Sequence, residues 1–331
     1  MKAITRHVYG QADALSYEEI DRPTVGADVV LVRIEAAGVD RGVWHLIAGL
    51  PYPMRLAGYG IRAPKNPVIG MDLAGTVEAV GRNVTTFAPG DRVYGNADGS
   101  FAEYATTSAD RLARMPANLS FEQAAVVPVS AVAALQGLRK GNVKAGQKVL
   151  IIGASGGVGT YAVQIAIAWG AEVTGVCSTS KVHHVKAIGA DHVIDYTQQK
   201  IASRGEQYDV IIDIGGNRTL TELRRALTPE GTLVIAGGET DGRWLGGTDR
   251  QIRAMLLSPF VSQKLGTFIC AVNAEDLSVI TNLIESGTVN PVVDQIYPLS
   301  HAPTAIADLL AGQVRGKLAI SVGDHESHSR N

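Results

Sequence analysis

The chain of 331 residues is longer than one ordinary compact domain, and the usual size of about 100 to 200 residues per domain predicts two domains. With 46% hydrophobic and 19% charged residues, the composition is that of a globular protein, and the formal net charge of −2 argues against nucleic acid as a main partner. No apolar run reaches the roughly 18 residues of a membrane span, and the start MKAITRHVYG lacks the apolar core of a secretory signal. We therefore expect a cytoplasmic protein with no membrane partner.

Residues 1–122 form the first predicted domain. Short β-rich runs such as DVVLVRIEAAGV and DLAGTVEAVG are separated by Gly, Pro, Asn or Asp about every 8 to 12 residues. Regular turn signals between short alternating runs are typical of an antiparallel β-sandwich or barrel, so we expect a β-rich domain here.

Residues 123–288 form the second predicted domain, because the pattern changes near Phe121. SFEQAAVVPVSAVAALQGL is typical of a mainly helical segment with Ser120 as its N-cap. The continuous apolar run QKVLIIGAS predicts a strand buried on both faces, and VGTYAVQIAIAWG predicts a helix that ends at Gly170. Five strand candidates, four of them joined by connections of helical length, predict a doubly wound parallel sheet of the α/β class.

The end of the chain has a pattern of its own. Residues 289–322 are typical of a strand, a helix and a strand that return to the first domain, and the polar residues 323–331 predict a frayed tail. The two cysteines, Cys177 and Cys270, lie in strand-like apolar segments and are expected to be buried and unreactive. Two cysteines are too few for a disulfide scaffold or a four-cysteine zinc site.

A glycine-rich stretch, IIGASGGVGT, links the first buried strand of the second domain to the helix that follows it. Ala154, Gly156 and Gly159 have the spacing of the dinucleotide fingerprint, with Ala in the first place. Such a loop presents backbone N–H groups and a helix N-terminus to a pyrophosphate. The alternative is a tight turn without a ligand. The residues expected to contact the cofactor are Gly153, Ala154, Ser155, Gly156, Gly157, Val158 and Gly159.

The end of the next strand predicts which dinucleotide is bound. An NAD site places an acid there to accept hydrogen bonds from the ribose hydroxyls, whereas this chain has CSTSK, residues 177–181, with three hydroxyls and a cation. Hydroxyl donors and an ammonium favour a 2′-phosphate, so we expect NADPH to be bound by Ser178 and Lys181. The alternative is a helix N-cap followed by a solvated lysine.

Several segments together resemble a known family: MKAITRHVYG, VLVRIEAAGVD, PVIGMDLAGTVEAVG, PGDRVYG, GASGGVGTYAVQIA, GADHVIDY and RGKLAISVG. They resemble the zinc-free, quinone-oxidoreductase-like branch of the medium-chain dehydrogenase/reductase family, from Met1 to about Val322. The resemblance implies a GroES-like β-rich catalytic domain, a Rossmann cofactor domain, a cleft between them, and a homodimer built through the edge of the Rossmann sheet.

The positions that hold zinc ligands in the zinc-dependent branch have other residues here. They are Asp40, Met71, Asp72 and the apolar residues around 127–129. A thioether and isolated carboxylates do not make the nitrogen- and sulfur-rich tetrahedral site that zinc prefers, and the cysteine lobe for a structural zinc is missing. We therefore predict no metal.

By resemblance, the stretch GVDRGVWH lines the nicotinamide pocket. Asp40 stands where many zinc-free members have Asn, Gly42 and Val43 replace a small residue and an acid, and Ala133 replaces a Thr. Asp40 is either an acid/base group beside the nicotinamide ring or a residue that orients Trp44 or His45. The small residues at 42 and 133 predict a wider pocket and a bulky acceptor.

Other site residues also follow from the resemblance. Tyr52 matches a substrate-lining tyrosine that can donate a proton, His45 matches a histidine that relays protons, and Trp44 is expected in the pocket wall. His45 as a structural histidine is an equal alternative. Lys317 is expected near the cofactor or the domain interface, or else in solvent. The remaining candidates for cofactor contact lie at strand ends: Tyr196, Gly215, Gly216, Gly237 and Gly238.

These observations predict an NADPH-dependent reductase that transfers hydride to a quinone or an α,β-unsaturated carbonyl. The alternatives are an NADP(H)-dependent alcohol or carbonyl oxidoreductase, a protein that binds NADPH without turnover, and a redox-neutral lyase. The expected partners are a small-molecule substrate and a second copy of the chain.

Overall fold

The computed structural model describes residues 1–201, 205–216, 218–237, 244, 246 and 248–323, and it divides into two compact units. The first unit comprises Met1–Val129, Val272–Ser286 and the described part of Pro291–Asn331, and the second comprises Ser130–Ala271 and Gly287–Asn290. The described strands of the whole chain are β1 (Lys2–Thr5), β2 (Ser16–Glu19), β3 (Val29–Val39), β4 (Asp72–Val80), β5 (Arg92–Asn96), β6 (Tyr104–Ser108), β7 (Leu112–Arg114), β8 (Lys148–Ile152), β9 (Glu172–Cys177), β10 (His192–Asp195), β11 (Tyr208–Asp213), β12 (Leu227–Ile235), β13 (Lys264–Thr267), β14 (Val293–Pro298) and β15 (Lys317–Ser321). Its α-helices are α1 (Arg41–Ala48), α2 (Phe121–Ala125), α3 (Pro128–Lys140), α4 (Gly157–Ala168), α5 (Val182–Ala187), α6 (Leu220–Ala226), α7 (Thr248–Leu257), α8 (Ala274–Glu285) and α9 (Ala302–Leu310).

The first unit is β-rich and GroES-like. Its main sheet has the order β14-β15-β3-β4-β5-β7, with β6 also paired to β3, and β1 and β2 form a separate antiparallel pair. β14 and β15 are parallel and are connected by α9, whereas β15 is antiparallel to β3. The C-terminal strand, helix and strand therefore complete the sheet of the first unit. Two apolar clusters fill the unit, one around Ile4, Val43 and Phe101 and one around Val32, Leu73 and Val93.

The second unit is a parallel sheet with the order β10-β9-β8-β11-β12-β13. β8 is the first strand of this unit along the chain, and it lies between β9 and β11, so the strand order reverses beside it. In doubly wound sheets, ligands bind at the carboxyl ends of the strands at such a reversal. The topology therefore places the segment after Ile152 at the position where a dinucleotide is expected.

The helical segment after Ser120 is divided into α2 and α3. Ser120 is the N-cap of α2: its hydroxyl accepts from the Gln123 N–H, and the Gln123 side chain accepts from the Ser120 N–H. Proline disfavours a helical backbone conformation at the residue that precedes it, here Val127. α2 therefore ends before Val127, and a new helix starts at Pro128.

The division of the chain differs from the predicted boundaries at α8. Residues up to 288 are predicted in the cofactor domain, but Val272–Ser286 belong to the first unit. α8 buries Leu277, Ile280 and Ile284, and the Tyr94 hydroxyl donates to the Leu277 carbonyl at 2.8 Å. An amphipathic helix packs against whichever unit covers its apolar face, and the position of the helix in the chain does not reveal which unit that is.

The prediction of two buried thiols is correct for one cysteine only. Cys177 is buried at the end of β9, and burial raises the pKa of its thiol to about 11. Cys270 is partly exposed and follows the end of β13 by three residues, so the prediction for Cys270 is wrong. Among the described helices, none combines the length and the apolar character that a bilayer crossing requires.

Candidate active site

The glycine-rich stretch forms the turn between β8 and α4. The Gly153 and Ala154 N–H groups both donate to the Val176 carbonyl on β9 at 3.1 Å, and Gly153 has a φ of +87°. A Cβ on Gly159 would overlap the Gly153 carbonyl oxygen, so a glycine at 159 lets α4 begin directly against the strand. The loop therefore has the tight turn and close packing of a dinucleotide site.

The loop also leaves space for a ligand. A Cβ on Gly156 would meet only the Gly153 carbonyl oxygen, at 3.6 Å, and Gly156 is the N-cap of α4 without a capping side chain. The first N–H groups of the helix, at Gly157, Val158 and Gly159, have no acceptor within the helix and carry its partial positive charge. These features fit a pyrophosphate. Ala154 and Ser155 are buried, so they would contribute mainly backbone.

The predicted 2′-phosphate site contains an acid that the sequence analysis missed. Ser178 and Lys181 flank a short turn after β9, and the Ser178 side chain forms no capping bond. Asp195 ends the neighbouring strand β10 and pairs with Cys177 across the sheet. Hydrogen bonds from the Thr179 and Thr197 hydroxyls hold the pKa of Asp195 below its usual value. The carboxylate is therefore ionised and already paired with hydroxyl donors.

Tyr196 and the other predicted strand-end residues lie at the same edge of the sheet. Tyr196 donates its N–H to the Cys177 carbonyl at 3.1 Å and keeps its ring exposed. Gly215 approaches the glycine loop, since a Cβ on Gly153 would be 3.0 Å from the Gly215 nitrogen. A Cβ on Gly237 would overlap the Ile214 carbonyl oxygen, and Gly238 lies outside the described residues.

A buried ion pair, also missed in the sequence, supports these strand ends. Arg250 on α7 donates from Nη2 to Asp213 Oδ2 at 2.6 Å and from Nη1 to the Arg218 carbonyl at 2.8 Å. Asp213 is the last residue of β11 and is fully buried; burial raises its pKa to about 6, while Arg250 opposes that rise. A glycine is needed at 216, because a Cβ there would overlap Asp213 Oδ1.

In the first unit, three strands bring three ionisable side chains together. Asp40 follows β3, Asp72 begins β4, and Lys317 begins β15. The Lys317 Nζ is 3.8 Å from Asp40 Oδ2 and 3.5 Å from Asp72 Oδ2. The Asp72 Oδ1 accepts from the Val129 N–H at 3.0 Å. All three residues are buried, so of the two alternatives for Lys317 the solvated lysine is wrong.

The Asp40 carboxylate lies where a side chain on Gly42 would be. A Cβ on Gly42 would be 2.8 Å from Asp40 Oδ1 and 3.1 Å from Met71 Sδ. The missing side chain makes room for the Asp40 carboxylate, and the structure gives the pocket-widening interpretation of Gly42 no support. Ala133, the other small residue in that argument, lies partly buried on α3 in the second unit.

Trp44 and His45 lie on α1, which begins directly after Asp40. Their rings are in edge contact at 4.9 Å between centroids, and His45 Nδ1 is 2.9 Å from the Leu50 carbonyl. A carbonyl only accepts, so Nδ1 carries a hydrogen and this bond fixes the ring, as expected for a structural histidine. Asp40 makes no hydrogen bond to either ring, so no contact supports the interpretation that Asp40 orients Trp44 or His45.

Tyr52 lies in the segment after α1 and is partly exposed. The guanidinium carbon of Arg55 lies 4.9 Å from the Tyr52 ring centre and 4.1 Å from that of Tyr9. Arg55 itself donates to the Gly49 and Ala48 carbonyls at the end of α1. Tyr52 is therefore held beside α1 by a cation–π contact.

The ligand chemistry near Asp40 does not fit zinc. Within the described part of the chain, no group of three or more His, Cys, Asp and Glu side chains is arranged to hold a metal ion. The two carboxylates face a buried ammonium, and a divalent cation beside Lys317 would be repelled by it.

Comparison with known proteins identifies the family. Residues 26–117 match the alcohol dehydrogenase GroES-like domain, and residues 188–320 match a zinc-binding dehydrogenase domain. The chain is 30% identical to the mitochondrial NAD(P)H oxidoreductase RTN4IP1 of Danio rerio, over 95% of this chain and 89% of that protein. It is also 30% identical to the 2-methylene-furan-3-one reductase of Solanum lycopersicum, over 97% of this chain and 79% of that protein.

The fold agrees with these sequence matches. The quinone oxidoreductase of Escherichia coli, solved in complex with NADPH, superposes with a TM-score of 0.84 at 26% identity, covering 97% of this chain and 100% of that chain. The chain belongs to the medium-chain dehydrogenase/reductase family, with the GroES-like and Rossmann folds that the sequence predicts. It is an oxidoreductase.

Proposed function

We propose that this protein is an NADPH-dependent reductase that transfers hydride to a quinone or to the β-carbon of an enone. The glycine loop after β8 carries the proposal, because its free helix N-terminus and the open space at Gly156 fit a pyrophosphate. The names of the relatives, an NAD(P)H oxidoreductase, a furanone reductase and a quinone oxidoreductase, support the same chemistry.

NADPH, when bound, supplies the hydride. The chain's own residues have three tasks in this proposal: the loop 153–159 binds the pyrophosphate, Ser178 and Lys181 bind the 2′-phosphate, and an acid protonates the reduced acceptor. Asp40 is the proposed acid, and Tyr52 is the alternative. Asp195 is not expected to oppose the 2′-phosphate strongly, because Thr179 and Thr197 already donate hydrogen bonds to it.

The test is a panel of acceptors with the purified protein. Quinones, 2-enones, enoyl thioesters and aldehydes are offered with NADPH or NADH, and loss of coenzyme absorbance is followed. We expect turnover of quinones or enones, faster with NADPH. Asp40→Asn and Tyr52→Phe then identify the proton donor as the residue whose loss lowers kcat about 100-fold or more. Turnover of aldehydes alone would contradict the proposal and favour a carbonyl oxidoreductase.

A homodimer and a cytoplasmic location complete the proposal. β13 is an edge strand of the six-stranded sheet, and edge strands with exposed apolar side chains are sites of chain association. Exposed apolar side chains precede and follow this strand: Met255, Leu256, Phe260 and Ile269. Cell fractionation tests the location.

A further inference from the structure

The cluster of Asp40, Asp72 and Lys317 has more hydrogen-bonding capacity than partners. Both carboxylate oxygens of Asp40, Oδ2 of Asp72 and Nζ of Lys317 are buried and accept or donate no hydrogen bond. Asp40 is also the N-cap of α1, where an aspartate usually accepts from the first turn, yet its side chain makes no such bond. Buried charges are normally held by several hydrogen bonds, so the open capacity calls for an explanation.

Distance explains why the ammonium is committed to neither acid. Charge-assisted bonds between nitrogen and a carboxylate are about 2.7–2.9 Å long, whereas Lys317 Nζ is 3.5 Å from one carboxylate and 3.8 Å from the other. Lys317 therefore lies between the acids and attracts both. One cation cannot neutralise two buried carboxylates, and a proton held by one of them would balance the charge.

The register of three adjacent strands brings Asp40, Asp72 and Lys317 together. Leu318 pairs with Val39 and Gly38 pairs with Asp72, so Lys317 and Asp40 follow from the register of three adjacent strands. A Cβ on Gly38 would be 3.0 Å from the Asp72 Cβ and would overlap the Ala125 carbonyl oxygen, and Gly42 is required beside Asp40. Two glycines therefore make the space in which the cluster is enclosed.

The electrostatics agree with a retained proton. The pKa of Asp72 is raised to about 7, chiefly by burial and also by the charge of Asp40, while Lys317 and the Val129 N–H oppose the rise. Other charged or titratable side chains on the elements packed around the cluster have partners of their own or lie at least partly at the surface: Arg33 with Glu35, Glu78 with Arg22, Asp308 with Tyr297, Asp294 with the Arg315 N–H, Arg92 over Phe121, His45 with the Leu50 carbonyl, Arg41 and Glu122.

We infer that Asp72 and Lys317 are positioning residues for Asp40: the buried cluster retains one proton on its two carboxylates, beside the ammonium, and Asp40 passes that proton to the acceptor. This inference rests on the proposed function for the identity of the acceptor. Asp40 is the outer member of the pair, with 8% of the residue exposed against 0% for Asp72, and because both of its carboxylate oxygens are buried, its side chain must turn toward the acceptor to release the proton.

The step balances in atoms and charge. The acceptor gains a hydride with two electrons from NADPH, which becomes NADP⁺, and the O–H bond of the protonated acid breaks to give the acceptor its proton. The cluster then carries one more negative charge, next to a retained ammonium, and recovers its proton from water. Lys317 stabilises the charged state, and Asp72 keeps a proton available near neutral pH.

The test compares Asp72→Asn, Lys317→Met and Lys317→Arg with the unchanged protein. The first readout is the free energy of unfolding without coenzyme from about pH 4 to pH 8, and the second is the pH profile of kcat/KM with NADPH and a quinone. We expect Asp72→Asn to flatten the first profile and to shift the second by about one pH unit toward acid, a tenfold change in proton concentration, with kcat falling more than KM changes. Lys317→Met shifts the second profile toward alkali, and Lys317→Arg restores it.

Arg33→Met is the matched control, since it removes a partly exposed ion pair with Glu35 on β3, the strand that precedes Asp40. It is expected to leave both profiles unchanged. An Asp72→Asn variant whose stability profile or kcat/KM profile matches the unchanged protein would overturn the inference. If the unchanged protein reduces no acceptor, the proposed function fails, while the stability profile still decides whether the cluster retains a proton.

Discussion

Single residues at this site are explained by what surrounds them. The Asp40 carboxylate and the Met71 sulfur fill the space where a side chain on Gly42 would lie. Lys317 is a conspicuous cation in a polar stretch of sequence, yet it is buried between two acids. The acids beside Lys317 come from segments far from it in the chain, whereas Gly42 lies close to Asp40 in the sequence and only Met71 comes from a distant segment.

The buried pair Asp213–Arg250 gives a prediction with a pH dependence. Arg250→Met is expected to lower the free energy of unfolding by about 3–5 kcal/mol near pH 7.5, because it leaves a buried carboxylate without a cation. Asp213 has a native pKa of about 6, raised from 3.8, so the native state holds its proton more tightly and stability falls as the pH rises through that range. Near pH 5 the carboxyl is mostly protonated, and the loss in Arg250→Met is therefore smaller.

Urea unfolding at the two pH values measures this effect. Arg253→Met on the same helix is the control, because its pairing with Asp249 at 3.3 Å is largely exposed, and a change of less than about 1 kcal/mol is expected at either pH. Equal losses for Arg250→Met at pH 5 and pH 7.5 would show that Asp213 does not titrate in this range.

At the scale of elements, the turn between β8 and α4 combines two kinds of glycine. Gly159 is needed for packing, because a side chain there would overlap the Gly153 carbonyl oxygen. Gly156 is free of such contacts, since its Cβ would meet only one oxygen at ordinary distance. One glycine therefore serves the fold, and the other leaves room in front of the helix N-terminus.

Substitution of each glycine separates these roles. Gly156→Ala is expected to change the free energy of unfolding by no more than about 1 kcal/mol and to raise the Kd for NADPH about tenfold or more, because its methyl group takes the place of the pyrophosphate. Gly159→Ala is expected to lose about 1–3 kcal/mol of stability. Fluorescence titration with NADPH and urea unfolding measure both effects. Gly266→Ala in β13, whose Cβ would be 3.8 Å from Lys140, serves as a control, and a normal Kd in Gly156→Ala would argue against the proposed site.

At the scale of the whole molecule, the second unit has an apolar edge. Phe260 is 84% exposed and Ile269 is 94% exposed, and they flank the edge strand β13. Isolated exposed apolar side chains are ordinary, but several of them beside an edge strand support the proposed association surface. A second copy of the chain is the partner that the family resemblance implies.

The dimer prediction is tested with charges at this edge. Light scattering should give the mass of a dimer for the unchanged protein and of a monomer for Phe260→Asp combined with Ile269→Asp, because buried unpaired carboxylates oppose association. Leu56→Asp with Ile61→Asp, at exposed positions of the first unit, should leave the mass unchanged. A monomeric unchanged protein would contradict the proposal.

The sequence by itself determined the features that short segments encode. Turn residues between alternating runs, the continuous apolar strand before Gly153, the N-cap at Ser120 and the strand-helix-strand ending are all local patterns, and the structure contains them. The glycine spacing predicted the loop for the same reason: its function depends on backbone conformation within ten residues. The hydroxyls and the lysine that follow β9, in residues 178–181, are also visible in the sequence alone.

Only the tertiary structure decided which distant residues meet. Asp40, Asp72 and Lys317 become neighbours through the register of β15, β3 and β4, and Asp195 reaches Cys177 through the pairing of β10 with β9. Arg250 on α7 binds Asp213 at the end of β11. α8 belongs to the first unit because one of its faces is buried there. These contacts depend on strand order and packing of segments far apart in the chain, for which the local pattern carries no signal.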